Sequence, residues 1–155
     1  MSQFPSTEWF LALKSGMERD PERYRRLGTA DVVLIAKIDR EAGSELYEIA
    51  FRGYRCVGVR RLQALAEAPA RAIVLEGSLA TWREMIESIE KNGKADLAHT
   101  LNTLTLADTP MRVTAANQLD IDAFYRFQET LQEFFDEAAG FGSDFRAAAS
   151  GAPAA

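Results

Sequence analysis

Residues 72–104 read AIVLEGSLATWREMIESIEKNGKADLAHTLNTL, and the fold follows from them. An apolar run at 72–76 predicts a strand, and Gly77-Ser78 a turn. Thr81 and Glu84 have the T-x-x-E spacing of a capping box. Trp82, Met85, Ile86 and Ile89 then recur at i, i+3, i+4 and i+7, which places them on one face of a helix. Asn92-Gly93 supplies the stop, because both residues tolerate the left-handed cap. Leu97, Leu101 and Leu104 predict a second helical stripe. A strand and two helices of this kind cannot cover their own apolar faces, so the rest of the chain must do so.

On the N-terminal side, Ser6 is the expected cap of a helix carrying Trp9, Phe10, Leu13 and Met17. Asp20-Pro21 ends it and opens another, which Gly28 closes. Residues 31–39, DVVLIAKID, are apolar on both faces and predict a central strand. After a loop at 40–44, residues 45–54 alternate, with Tyr47, Ile49 and Phe51 on a buried face and Glu48 and Arg52 on a wet one. A turn at 53–55 leads to a third strand, 56–62, with Val57 and Val59 on one side and Arg60 on the other.

On the C-terminal side, Pro110 opens a last strand, with Met111 and Val113 inward. Asp120 or Asp122 is the expected cap of a long final helix bearing Ile121, Phe124, Phe127, Leu131, Phe134, Phe135 and Ala138. Gly140 ends it. The remaining Gly/Ala-rich segment, 140–155, is expected to be a mobile tail in which Phe141 and Phe145 are out of place. The order of elements predicts an α+β fold: a sheet of about five strands, mainly antiparallel, covered on one face by helices, in a single domain over 1–139.

Composition excludes several functions. The chain has 155 residues and a formal net charge of −5, against the basic face that nucleic-acid binding requires. Arg23, Arg25 and Arg26 form its one dense basic cluster and read as a solvated helix face. Cys56 is the single cysteine, so no intrachain disulfide and no paired-cysteine zinc site is expected. The N-terminus lacks the pattern of a signal peptide, and no apolar run approaches the ~20 residues of a membrane span. A soluble cytoplasmic protein is the expectation. His99 lies between Leu97 and Leu101 without a nucleophile or metal motif, and neither G-x-S-x-G, H-E-x-x-H nor a P-loop occurs. The acidic groups at 120–122 and 133–137 read as caps and solvated helix surface. No catalytic residue, metal or cofactor is therefore assigned.

Large apolar side chains are what the chain has in excess: nine Phe, two Trp and four Met, many at helical spacing. Such stripes fill a core or line a hole for an apolar ligand, and spacing alone does not separate the two.

From FPSTEWFLAL (4–13) through VVLIAKID, LYEIAFRGYR, AIVLEGSLATWREMIESIE, MRVTA and the closing helix, the order of segments resembles the sterol carrier protein 2 sterol-binding domain family. The resemblance runs from about Trp9 to Glu137 and lies in order and pattern. It implies an apolar tunnel between sheet and helices that accepts sterols, fatty acyl chains or other lipids, with no catalysis. One segment departs from it. Where the family commonly has a GKLKIKGD-like stretch before the last helix, this chain has LTLADTPMRVTAANQLDI (104–121), and its closing helix is more aromatic.

With that tunnel, the expected walls are Trp82, Met85, Ile86 and Ile89, then Leu97 and Leu101, then Phe124, Phe127 and Leu131. Tyr47, Ile49 and Phe51 form the floor, while Trp9, Phe10 and Leu13 pack as core. Trp82–Ile89 is expected to be a wall rather than a plug. Two other readings stay open. In one, the Phe-rich last helix is the interface of a homodimer or a partner complex. In the other, a small enzyme acts on an apolar carbonyl compound through an Asp or Tyr.

Overall fold

The computed structural model describes residues 1–146. Its main sheet has five strands in the order β4-β3-β2-β5-β6: β2 (Val32–Arg40), β3 (Gly43–Arg52), β4 (Arg55–Leu62), β5 (Ile73–Ser78) and β6 (Arg112–Thr114). As its two apolar faces require, β2 is central. It pairs antiparallel with β3 and parallel with β5, and the two outer pairings are antiparallel. The helices are α1 (Thr7–Arg19), α2 (Pro21–Leu27), α3 (Leu79–Asn92), α4 (Leu101–Leu104), α5 (Gln118–Arg126) and α6 (Gln128–Asp136). The α+β class and the sheet covered by helices are as expected.

Several local readings are met for the reasons given. Ser6 caps α1 by accepting from Trp9 N at 3.0 Å, and Gly93 ends α3 at φ 81°. Others are corrected. Ser78, not Thr81, caps α3: its hydroxyl accepts from Thr81 N at 3.2 Å, so the helix starts one turn earlier. Asn117, not Asp120 or Asp122, caps α5, accepting from Asp120 N at 3.0 Å. The single final helix is broken at Phe127, which ends α5 and starts α6 with φ −98° and ψ 12°. Val57 is half exposed, whereas Val59, expected on the same side, packs against the main core. The register shifts between Ala50 and Phe51, so Cys56 faces Phe51 across the pair and Val57 is the extra residue of a bulge.

Nor is the second face of the sheet simply wet. Ile35, Leu46, Leu62, Ala72 and Val74 form a small satellite core there, flanked by Val33 and Ala68. The tail also differs from the expectation as far as Arg146. A short β7 (Ser143–Asp144) pairs in parallel with β1 (Ser2–Gln3), and Phe145 is buried against Phe4. The rest of the expected mobile tail, 147–155, lies outside the described residues.

Two polar details in the helical layer carry predictions. Tyr24 is fully buried on α2, and its hydroxyl has no hydrogen-bond partner among the described residues. Burial and the neighbouring Glu137 carboxylate push its pKa up, so it stays neutral. An orphaned buried hydroxyl costs stability. Tyr24→Phe is expected to gain about 1 kcal/mol, read as a rise of roughly 2–4 °C in the melting temperature. A fall would show that the hydroxyl has a partner.

Asp136 joins the loop after α3 to α6, accepting from Ala95 N at 3.1 Å and from Gln132 Nε2 at 2.9 Å. Burial raises its pKa despite these donors. Between the ordinary carboxylate value and the raised one, the folded protein keeps a proton that the unfolded chain has released. Stability from this group therefore falls as pH rises through that window and is flat above it. Asn keeps an acceptor oxygen and carries no charge. Asp136→Asn is expected to be more stable than wild type at pH 7, with the gain shrinking as pH falls through the window, in urea titrations from pH 4 to 8.

Candidate functional site: an apolar layer and its mouth

Tyr47, Ile49 and Phe51 form the inner face of β3, at most 4% exposed. Trp82, Met85, Ile86 and Ile89 from α3, Leu101 from α4, Phe124 from α5 and Leu131 from α6 are fully buried in the same apolar cluster. Phe127 is half-buried and packs on its rim. The structure thus brings eleven of the twelve expected residues into one cluster. Leu97 is the exception. It sits in a short 3₁₀ turn (Leu97–His99) and is 84% exposed, because that turn breaks the stripe expected from Leu97 to Leu104.

Rings fill this layer. Phe10 of α1, expected as core, stacks on Tyr47 at a centroid distance of 4.9 Å. Phe134 meets Phe51 edge-on at 4.9 Å. Trp82 lies between Phe4 at 6.1 Å and Phe135 at 5.7 Å, and its Nε1 donates to the Lys37 carbonyl at 3.2 Å. Gly77 leaves room for that indole: a Cβ there would stand 3.0 Å from Met111 and 3.5 Å from Trp82 Nε1. A molecule can enter the layer only by moving side chains. Phe124, Phe134 and Phe135 are fully buried within the chain, so an interface built on the last helix has none of these three to offer.

Beside the layer lies a cleft of about 440 Å³. Phe51, Ile73, Ala123 and Phe127, all members or neighbours of the main core, supply its apolar wall. Its rim is charged. Asp120, 3% exposed, accepts from Arg71 Nε at 3.1 Å and Nη2 at 3.0 Å, which ties the segment before β5 to the start of α5. Asp31 Oδ1 accepts from Gly53 N at 2.8 Å. Arg52 and Arg126 make no ion pair with the described residues, and the Arg126 guanidinium lies 4.9 Å from the Phe127 ring centre.

Sequence reasoning missed this rim. Arg71 and Asp120 are 49 positions apart, and no local pattern joins them. One signal was present: Asp120 stands on the same helical stripe as Ala123 and Phe127, a carboxylate on an apolar face. Cys56 is buried and burial pushes its thiol up to about 11, which leaves it an inert core residue at neutral pH. No group of three or more His, Cys, Asp or Glu among the described residues is placed to hold a metal. No helix among them is long and apolar enough to cross a membrane.

Solved structures match this arrangement of sheet and helices. The crystal structure of sterol carrier protein 2 superposes with a TM-score of 0.61, covering 87% of this chain and 96% of its own, at 18% identity. The chain has the sterol carrier protein 2 fold. The solution structure of a conserved hypothetical protein from Thermus thermophilus, for which sterol carrier protein is the suggested identity, gives a TM-score of 0.62. It covers 90% of each chain at 18% identity. No protein-family model matches this chain, and no curated protein matches it in sequence. At 18% identity what is shared is the sterol carrier protein 2 fold, and function has to be argued from the site.

Proposed function

We propose that this chain is a non-catalytic carrier of an apolar ligand, a sterol, a fatty acyl compound or a similar lipid, working in the cytoplasm. The observation that supports it is an open cleft whose apolar wall, Phe51, Ile73, Ala123 and Phe127, belongs to or packs against the buried layer, in the fold of sterol carrier protein 2. The cleft falls within the ordinary range of small-molecule sites, and its wall is apolar. Binding draws on apolar area removed from water. A chain burying ~300 Å² at ~25 cal/mol per Å² gains several kcal/mol before the costs of ordering.

The proposed lining of the bound state is Tyr47, Ile49, Phe51, Trp82, Met85, Ile86, Ile89, Leu101, Phe124, Phe127 and Leu131, without Leu97. Two measurements test the reading: mass spectrometry of solvent extracts of the purified protein, and titration with a fluorescent fatty acid. Lipid in stoichiometric amount, or saturable binding, is expected. An extract free of lipid together with a linear, non-saturating titration overturns it.

A further inference from the structure

The rim of the cleft carries charge of the opposite sign to the protein. A second cleft, at Pro21 and Tyr54, adjoins the first and shares Arg52 with it. Between them the two are lined by five arginines, Arg25, Arg52, Arg55, Arg71 and Arg126, and by two carboxylates, Asp31 and Asp120. This lies on a chain whose formal net charge is −5. The pairings sharpen the contrast. Arg71 is held by Asp120 and Arg25 by Glu22, whereas Arg52, Arg55 and Arg126 have no carboxylate partner among the described residues. Asp31 faces a backbone N–H of the turn after β3 rather than a guanidinium.

We infer that the cleft selects single-chain amphiphiles with an anionic head group, a carboxylate or a phosphate, over neutral ones of the same chain. Arg52 and Arg126 are the specificity-determining residues. The inference rests on the carrier reading and adds a head-group preference to it. The chain of the ligand lies against Phe51, Ile73, Ala123 and Phe127, and the head stays at the rim, where water keeps an ionised group solvated. Arg52 stands at the end of β3 and Arg126 at the end of α5, so the two approach the head from the sheet side and the helix side. Arg suits the task because its planar fork meets carboxylate and phosphate oxygens in pairs. The Asp120–Arg71 pair serves differently: it neutralises the one buried carboxylate in the wall, which would otherwise repel the head.

The test uses four ligands with one C16 chain: hexadecanoate, hexadecyl phosphate, hexadecan-1-ol and hexadecyltrimethylammonium. Each displaces N-phenyl-1-naphthylamine, a neutral fluorophore, from the full chain at pH 8 and low salt. Both anions are expected to bind about tenfold more tightly than the alcohol, since two exposed charge contacts together amount to that factor. The cation is expected to bind no better than the alcohol. The preference shrinks at high ionic strength. In the Arg52→Gln/Arg126→Gln variant the ratio of anion to alcohol affinity falls from about ten to about one, which a general loss of folding, weakening all ligands alike, would not produce. A stronger response to one anion identifies whether the head is an acyl carboxylate or a lipid phosphate. Equal binding of alcohol and anions by the wild-type protein overturns the inference and leaves the carrier reading standing. Displacement by none of the four also overturns the inference, and the carrier reading then stands or falls on the lipid extract and the fluorescent titration.

Discussion

Replacing Trp82 with alanine lowers the unfolding free energy by about 4 kcal/mol, measured in urea at neutral pH. The indole is fully buried, sits between Phe4 and Phe135, and gives up its N–H to the Lys37 carbonyl. Truncation leaves a hole that neighbours close only in part, and the cost grows with the volume left behind. The same variant separates a wall from a plug. If the layer admits a ligand, the hole at position 82 becomes part of the binding space, and an apolar ligand at 100 times its dissociation constant returns about 2.7 kcal/mol through binding linkage. If Trp82 is only core, a saturating fatty acid stabilises the variant no more than it stabilises the wild type. A loss below about 1 kcal/mol would mean that the indole is not packed as described.

Much of this architecture was legible because its signals are local. The i, i+3, i+4, i+7 stripe of Trp82, Met85, Ile86 and Ile89 depends only on the pitch of a helix, and it is buried as read. The two-sided apolar run of β2 could only be a central strand. What escaped depends on partners far away in sequence. The bulge at Val57 is set by how β4 docks on β3, not by its own alternation. The break at Phe127 has neither Pro nor Gly to announce it, and the stripe of Phe124, Phe127 and Leu131 runs through it unbroken. Leu97 shows the opposite failure: three leucines at helical spacing implied a helix, but Asp96 and Thr100 cap separate short turns and leave the first leucine in water. The site divides the same way. Its apolar lining was readable from periodicity. Its arginine rim was not, because Arg52, Arg71 and Arg126 come together only when β3, the segment before β5 and α5 meet at one cleft.

Ending the chain after Gly140 is expected to cost about 3–5 kcal/mol, the burial of two phenylalanine side chains. Phe145 contacts Phe4 at 5.8 Å and Phe141 contacts Trp9 at 5.9 Å between ring centres. Trp9 Nε1 loses the Ser143 hydroxyl it donates to at 2.8 Å, and the N-terminal segment loses the N–H···O bonds from Ser2 and Phe4 to the Gly142 and Asp144 carbonyls. Tryptophan emission should shift to the red as Trp9 meets water. Unchanged stability and emission would show that this segment does not dock in solution. The location gives the variant a second use. Along β2 the cleft lies at Val32, whereas Trp82 reaches Lys37, roughly 17 Å further on by strand rise. Phe145, packed on Phe4 and under Arg83, covers that far end. With the covering segment gone, Phe4 and the end of the layer beside it face water. A ligand held between sheet and helices should then leave faster, while one held only at the arginine rim should leave at the wild-type rate.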